Sequence, residues 1–285
     1  MLTAEMMMTG GGGGGSASNA WEISGPTHVQ TFSFSDAYSR GGIALADSGT
    51  RLYTIDNNSD NIRRYDLGTA WDISTVSSQQ GAYTDSYLLG SPYSVDVTRS
   101  GGAISAIQYA GSYPDYALSY ELSGANTYLI ENAVGPYLTS ITSYSNYAFA
   151  HNWRPDEKKW VVLDLVGKFL YQFNTAPDSA AYWGKTNWLS ASGKSLSLSA
   201  SIGSAYPHGC FWGGASNEKL YVVTDNRKVY QYDLSNADDI STGSYVTVFD
   251  ASTWLTNYEK YDIEFSDDGT TMYLSEHDRI HQFSL

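Results

Sequence analysis

The chain has 285 residues, a formal net charge of −14 and only 16% charged residues, so it lacks the clustered Lys and Arg that binding to nucleic acid requires. Its 24 Tyr, 8 Trp and 9 Phe make it rich in rings that suit pleated, half-buried surfaces. Cys210 is the only cysteine, which excludes an intrachain disulfide and a cysteine-built zinc site, and no apolar run reaches the length of a membrane span.

Residues 1–27 differ in composition from all that follows. Met6, Met7 and Met8 precede a glycine run from Gly10 to Gly15. Glycine loses the most conformational entropy on ordering, so this segment is expected to be flexible alone and to act as an arm that orders against a partner. Met1–Ser16 has neither a basic region nor an apolar stretch, so no secretory signal is expected.

From residue 28 onward the chain reads as one domain of repeats. Val29-Gln-Thr-Phe-Ser-Phe-Ser35 alternates as a half-buried strand does, yet it belongs to no repeat. Leu45-Ala-Asp-Ser-Gly-Thr-Arg-Leu-Tyr53 with Ile62-Arg-Arg-Tyr65 then opens the first of five copies. Phe265-Ser-Asp-Asp-Gly-Thr-Thr-Met-Tyr273 with Ile280-His-Gln-Phe283 forms the last. The second strand of each copy is anchored at Tyr53, Ser105, Trp160, Tyr221 and Tyr273, and Asp-Gly turns punctuate the hairpins. The anchors recur roughly every 50–60 residues, the length of four short strands with their turns. A fourth strand follows in most copies, as at 78–84, 126–134 and 245–250; the fifth has none. The strand at 29–35 is expected to fill that place. The fold expected is therefore all-β, a five-bladed β-propeller of four-stranded blades closed by its N-terminal strand. A sixth blade hidden between Phe173 and Pro207 is the alternative.

The Asp-Ser/Asp-Gly-Thr-x-Leu/Met-Tyr motif occurs with Ile-x-x-Tyr-Asp-Leu and with Ala70-Trp-Asp-Ile-Ser-Thr75, the last echoed by Ala237-Asp-Asp-Ile-Ser-Thr242. The set resembles a repeat of β-propeller proteins of tailed-bacteriophage virions. Related repeats occur in environmental bacterial surface proteins. The likeness covers about residues 28–285, strongly in copies one, four and five and weakly in two and three. It implies a propeller in a virion component and brings no catalytic residues with it.

Alignment from the anchors puts Arg40, Pro92, Tyr147, His208 and Lys260 at one rim of the central channel. Arg40, Tyr147, His208 and Lys260 there are candidates for holding an anionic or sugar ligand. Asp56 and Asp60, in an Asp/Asn-rich hairpin, are weak calcium candidates, since the segment lacks the bidentate Glu of an EF-hand loop. Asp96, Asp262 and Glu264 can face the channel, where five-bladed glycosidases place carboxylates, but Asp262 and Glu264 share one strand, a poor geometry for paired acid/base chemistry. No His pattern fits a metal site, no nucleophile elbow or phosphate loop is present, and no cofactor is expected. The expectation is a non-enzymatic structural protein of a tailed-phage virion, an appendage, collar or capsid-surface component made in the host cytoplasm. The arm at Met6–Met8 and Gly10–Gly15 would attach it to other virion proteins. The alternative is a carbohydrate-binding module that recognises a host surface glycan.

Overall fold

The computed structural model describes residues 20–34, 40–56, 60–84, 92–108, 116–122, 133–145, 147–175, 189–256 and 260–285. They form five antiparallel four-stranded sheets. Blade 1 holds β2 (Arg40–Ala46), β3 (Arg51–Asp56), β4 (Asn61–Leu67) and β5 (Val76–Thr84). Blade 2 holds β6 (Pro92–Val97), β7 (Ala103–Gln108), β8 (Tyr116–Leu122) and β9 (Ala133–Ser140). Blade 3 holds β10 (Ala148–Trp153), β11 (Lys159–Asp164), β12 (Phe169–Thr175) and β13 (Leu189–Ser197). Blade 4 follows the short helix α1 (Ser199–Ile202) with β14 (Pro207–Gly213), β15 (Lys219–Thr224), β16 (Lys228–Leu234) and β17 (Gly243–Asp250). In blade 5, β18 (Tyr261–Phe265), β19 (Thr271–Glu276) and β20 (Arg279–Ser284) are completed by β1 (Thr27–Ser33) from the start of the chain.

Closure thus takes the expected form. Phe32 lies opposite Ile280 in the antiparallel β1–β20 pair, and the Phe34 amide donates to the Asp278 carbonyl at 2.9 Å. The described stretch between Phe173 and Pro207 holds the end of β12, then β13 and α1, and belongs to blades 3 and 4, so no sixth blade arises there. Two local readings are corrected. The outer strand of blade 2 is Ala133–Ser140, later than 126–134. In blade 3, Val161 rather than Trp160 holds the anchor position, because Val161 pairs with Gln172 as Tyr221 pairs with Gln231 and Tyr273 with Gln282.

Apolar side chains of each blade meet those of the next in five clusters, one at each junction of the ring. The inner strands β2, β6, β10, β14 and β18 line the centre in that order. Glycines permit the tightest approaches. A Cβ on Gly209 of β14 would stand 2.7 Å from the Asp262 Cα and 2.9 Å from the Tyr261 carbonyl oxygen of β18. Backbone cannot yield there as a side-chain tip would, so Gly209→Ala is expected to cost about 1–3 kcal/mol, measurable as a lowered thermal midpoint. Each outer strand carries a register shift against its neighbour, which twists the exposed edges away from pairing with another chain.

A clasp recurs before three outer strands. Ile240, Ile73 and Ile23 are fully buried, and their amides donate to Gln172, Gln282 and Gln231 on the third strand of the preceding blade. The first lies before β17, the second before β5, and the third before β1, in the segment Ala20-Trp-Glu-Ile-Ser24. Trp21 and Trp71 lie flat on Gly269 and Gly49, whose positive φ leaves no Cβ in the way, and their amides donate to those glycine carbonyls at 2.8 and 2.9 Å. The anchor tyrosines complete the device: the Tyr221 hydroxyl donates to the Trp21 carbonyl and the Tyr273 hydroxyl to the Trp71 carbonyl, each at 2.5 Å. In blade 4 the Trp position is Asp238, and the anchor of the preceding blade is Val161 with no hydroxyl to offer. Residues 20–24 therefore pack into the propeller, inside the segment assigned to the arm by composition. Met6, Met7, Met8, Gly10 and Gly15 lie outside the described residues.

Candidate functional site

The inner strands are joined by side chains as well as by packing. Asp96 of β6 accepts from the Trp153 amide at 2.7 Å and from the Asn152 Nδ2 at 3.0 Å, both on β10. The Asn152 Oδ1 in turn accepts from the Trp212 amide of β14 at 2.8 Å, and the Ser94 hydroxyl accepts from the His151 amide. Asp262 of β18 accepts from the Ile43 amide of β2 at 3.1 Å. At the two remaining joints backbones touch directly, through Gly209 against β18 and through Gly41 and Gly42 against β6. The centre of the ring is thus a buried polar circuit, in which carboxylate and amide acceptors satisfy N–H groups of the neighbouring blade.

Asp96, Asp262 and Glu264 do face this centre, as expected. Burial raises the Asp96 carboxyl to about 7 against the opposing pull of the Trp153 and Val97 amides and of Arg99. Burial pushes Asp262 and Glu264 up as well, and the charge of Asp96 adds to both. At the end where the inner strands finish, Asp96, Asn152, Glu264, Arg99 and Phe211 enclose a cavity of about 20 Å³, room for one water and not for a substrate. No group of three or more His, Cys, Asp and Glu side chains among the described residues is arranged to hold a metal ion.

The opposite mouth, where the inner strands begin, is lined by rings. Tyr93 stacks on Phe149 at 4.4 Å, Phe149 meets His208 at 4.9 Å, and His208 stacks on Tyr261 at 5.7 Å. The Lys260 ammonium lies 5.0 Å above the Tyr93 ring. Two of the four expected rim residues, His208 and Lys260, therefore come together here. Burial lowers the His208 imidazole to about 4, so it is a neutral ring at physiological pH and not a cation for an anionic ligand. Tyr147 is exposed one residue before β10. The Arg40 backbone pairs with Asp56, and its side chain is outside the described residues. Tyr93, Phe149 and Tyr261 escaped the sequence reading, which counted charged and titratable groups at the rim and not the rings interleaved with them.

Asp56 is buried and paired with the Arg63 guanidinium at 2.9 Å, and a neighbouring Arg disfavours a calcium ion at that carboxylate. The Asp60 carboxyl is raised by burial and by the Asp56 charge. Asn57, Asn58 and Ser59 lie outside the described residues.

A cleft of about 750 Å³ opens between blades 3 and 4 on the face of the small cavity, lined by Arg154, Asp156, Lys159, Asn174 and Asp238. Arg154 bonds Asp156, Asp238 and the Ala237 carbonyl, while the Lys159 ammonium donates to Asn174 at 2.7 Å. The Arg154 contacts to Ala237 and Asp238 tie the two blades together.

No protein-family model matches the chain, and no curated protein matches it in sequence. Solved structures match it in shape. A luciferin-regenerating enzyme aligns over 92% of this chain and 96% of its own, with a TM-score of 0.54 and 11% identity. Two proposed 6-phosphogluconolactonases, from Bacteroides fragilis and Bacteroides uniformis, give TM-scores of 0.51 and 0.50 at 13% and 15% identity, over 83% and 86% of this chain. The chain spans 63% and 67% of their lengths. What this chain shares with all three is the β-propeller fold.

Proposed function

We propose that this chain is a non-enzymatic structural propeller of a tailed-phage virion, an appendage, collar or capsid-surface component attached to other virion proteins through its first residues. The observation that carries this reading is the clasp at Trp21 and Ile23. It fastens Trp21 and Ile23 to the face where the inner strands end, the face from which an attachment arm would leave. The aromatic mouth, on the opposite face, then points away from the attachment. The channel carboxylates support a constructional role, because Asp96 and Asp262 accept hydrogen bonds from the backbone of neighbouring blades instead of framing a substrate. The resemblance of the Asp-Gly-Thr and Asp-Ile-Ser-Thr motifs to phage propeller repeats supplies the setting. Mass spectrometry of purified particles is expected to contain this chain in stoichiometric amount and to lose it when residues 1–19 are deleted. Particles that never contain it would end the proposal.

A carbohydrate-binding role in host recognition is the second reading. The exposed rings of Tyr144, Tyr147, Tyr206 and Tyr245 favour it, since a phenol offers a flat apolar face and a polar tip to a sugar.

A further inference from the structure

We infer that the groove between blades 2 and 3 is a binding pocket for a single uncharged pyranose ring, held against Tyr144 and Tyr171. The inference rests on the carbohydrate-binding reading and gives it a place. Tyr144 stands in the turn after β9, 41% exposed, and Tyr171 projects from β12. Their rings are 6.3 Å apart and inclined at 58°, so they form two walls of an open wedge. Phe173 fixes the Tyr144 ring edge-on at 5.2 Å, and Phe169 stacks on Tyr171 at 5.7 Å, so both walls are set before any ligand arrives.

The floor comes from the irregular start of β13. Its register shift lies at Gly193, with φ of 72° and nothing within 4 Å of where a Cβ would point, and Ala191 and Ser195 flank it. The resulting pocket has a volume of about 180 Å³, enough for one sugar ring and not for two.

The polar groups identify the ligand class. Among the described residues Lys194 is the only charged group lining the pocket, and its ammonium is neutralised by Asp239 at 2.6 Å. The Gln172 amide is consumed by the blade 4 clasp through Ile240 and Asp238. The hydroxyls of Tyr144, Tyr171 and Ser195 have no hydrogen-bond partner among the described residues. Apolar faces rimmed by three uncharged hydroxyls match the C–H face and hydroxyl edge of a neutral hexose. An anionic sugar has no free cation to meet here, and a wholly apolar ligand would leave the hydroxyls unpaired.

The test is isothermal titration of the full chain with methyl glycosides of glucose, galactose and mannose and with N-acetylglucosamine. At least one is expected to bind with a dissociation constant on the order of millimolar. Tyr144→Ala should weaken that binding about tenfold, while Tyr144→Phe, which keeps the ring, should stay within about twofold. Ser195→Trp, which fills the pocket from an outer strand, should abolish binding with the thermal midpoint retained, and Val29→Ala, at an exposed position on another blade, should change nothing. If no probe binds the intact chain, the carbohydrate reading fails and the pocket with it. If a probe binds but Tyr144→Ala and Ser195→Trp bind it like the parent, the sugar site is elsewhere and this assignment alone is overturned.

Discussion

A chain lacking residues 1–34 is expected to aggregate instead of giving a soluble monomer, whereas removal of residues 1–19 should leave the thermal midpoint where it was. The contrast follows from what begins at Ala20. The clasp buries Trp21 and Ile23 in the blade 4–5 junction, among Phe211, Tyr221 and Phe265. Strand β1 covers β20, and Phe34 enters the blade 5–1 junction beside Ile43 and Tyr65. Burial of one such side chain contributes about 1.5–3 kcal/mol, and three are lost together. That is a large share of a total stability on the order of 5–15 kcal/mol, and the truncation also bares the edge of β20 in a ring that depends on closure. Removal of residues 1–26 keeps β1 and loses the clasp alone, so it should yield a folded protein with a lowered midpoint. Size-exclusion chromatography and thermal denaturation of the three truncations separate these outcomes. A 35–285 chain that melts like the parent would refute the closure argument.

The propeller was legible because its signals are local. Alternation in Val29–Ser35, Asp-Gly turns at 47–49 and 267–269, and recurring aromatic anchors each report the conformation of a few consecutive residues. The errors arose where position depends on a neighbouring blade. Trp160 drew the anchor assignment by its ring, yet it faces back into the blade 2–3 junction while Val161 faces forward into the next, as Tyr53 and Tyr221 do. Of the five anchors assigned from sequence Ser105 is the one without a ring, and its hydroxyl meets the His151 Nε2 at 2.7 Å and accepts from the Trp153 Nε1 at 2.8 Å, two side chains of the next blade that replace an anchor phenol. The clasp at 20–24 was readable and was hidden by composition: Ala20-Trp-Glu-Ile-Ser24 repeats Ala70-Trp-Asp-Ile-Ser74, but a glycine run just before it marked the whole segment as an arm.

The candidate site divides in the same way. Channel-facing carboxylates could be named from strand alternation, but their partners could not, because the register of one inner strand against the next is set by packing between blades. Asn152, which links three inner strands with one amide, has no signature in sequence at all. The sugar pocket needs a turn of blade 2, a middle strand of blade 3 and a bulge at Gly193, three places that no linear motif connects.

Stability should fall more steeply with rising pH above about 6.5 than between about pH 4 and 6.5. Two sets of buried groups oppose one another across the lower window. Asp96, Asp262 and Glu264 have raised folded values, so their contribution is complete below the unfolded carboxylate value and is lost as pH rises through the folded one. His151 is lowered to about 3 and His208 to about 4, in each case first by burial, and His28 is lowered as well. Unfolding at pH 5 would let these three imidazoles take up protons, so their contribution is complete above the unfolded value near 6.5 and is lost as pH falls. Between 4 and 6.5 the protons released by the carboxylates on unfolding are opposed by those bound at His151 and His208, and His28 acts in the same direction. Above 6.5 the imidazoles are neutral in both states and the carboxylates act alone. Asp96 reaches its folded value near 7, and Asp262 and Glu264, both raised well above the ordinary carboxylate range by burial, add to the alkaline slope. Each contributes about 1.4 kcal/mol for every pH unit by which its folded and unfolded values differ. Below 4 the paired carboxylates Asp156, Asp238 and Asp239, all held low by Arg or Lys partners and nearby hydrogen bonds, begin to protonate on unfolding and stability declines again. Glu264→Gln is the clean test, since the amide oxygen can still accept from Phe265 and no charge remains to bury. The variant should melt several degrees above the parent at pH 8.5 and close to it at pH 5, and an unchanged alkaline slope would mean that Glu264 is already ionised inside the channel.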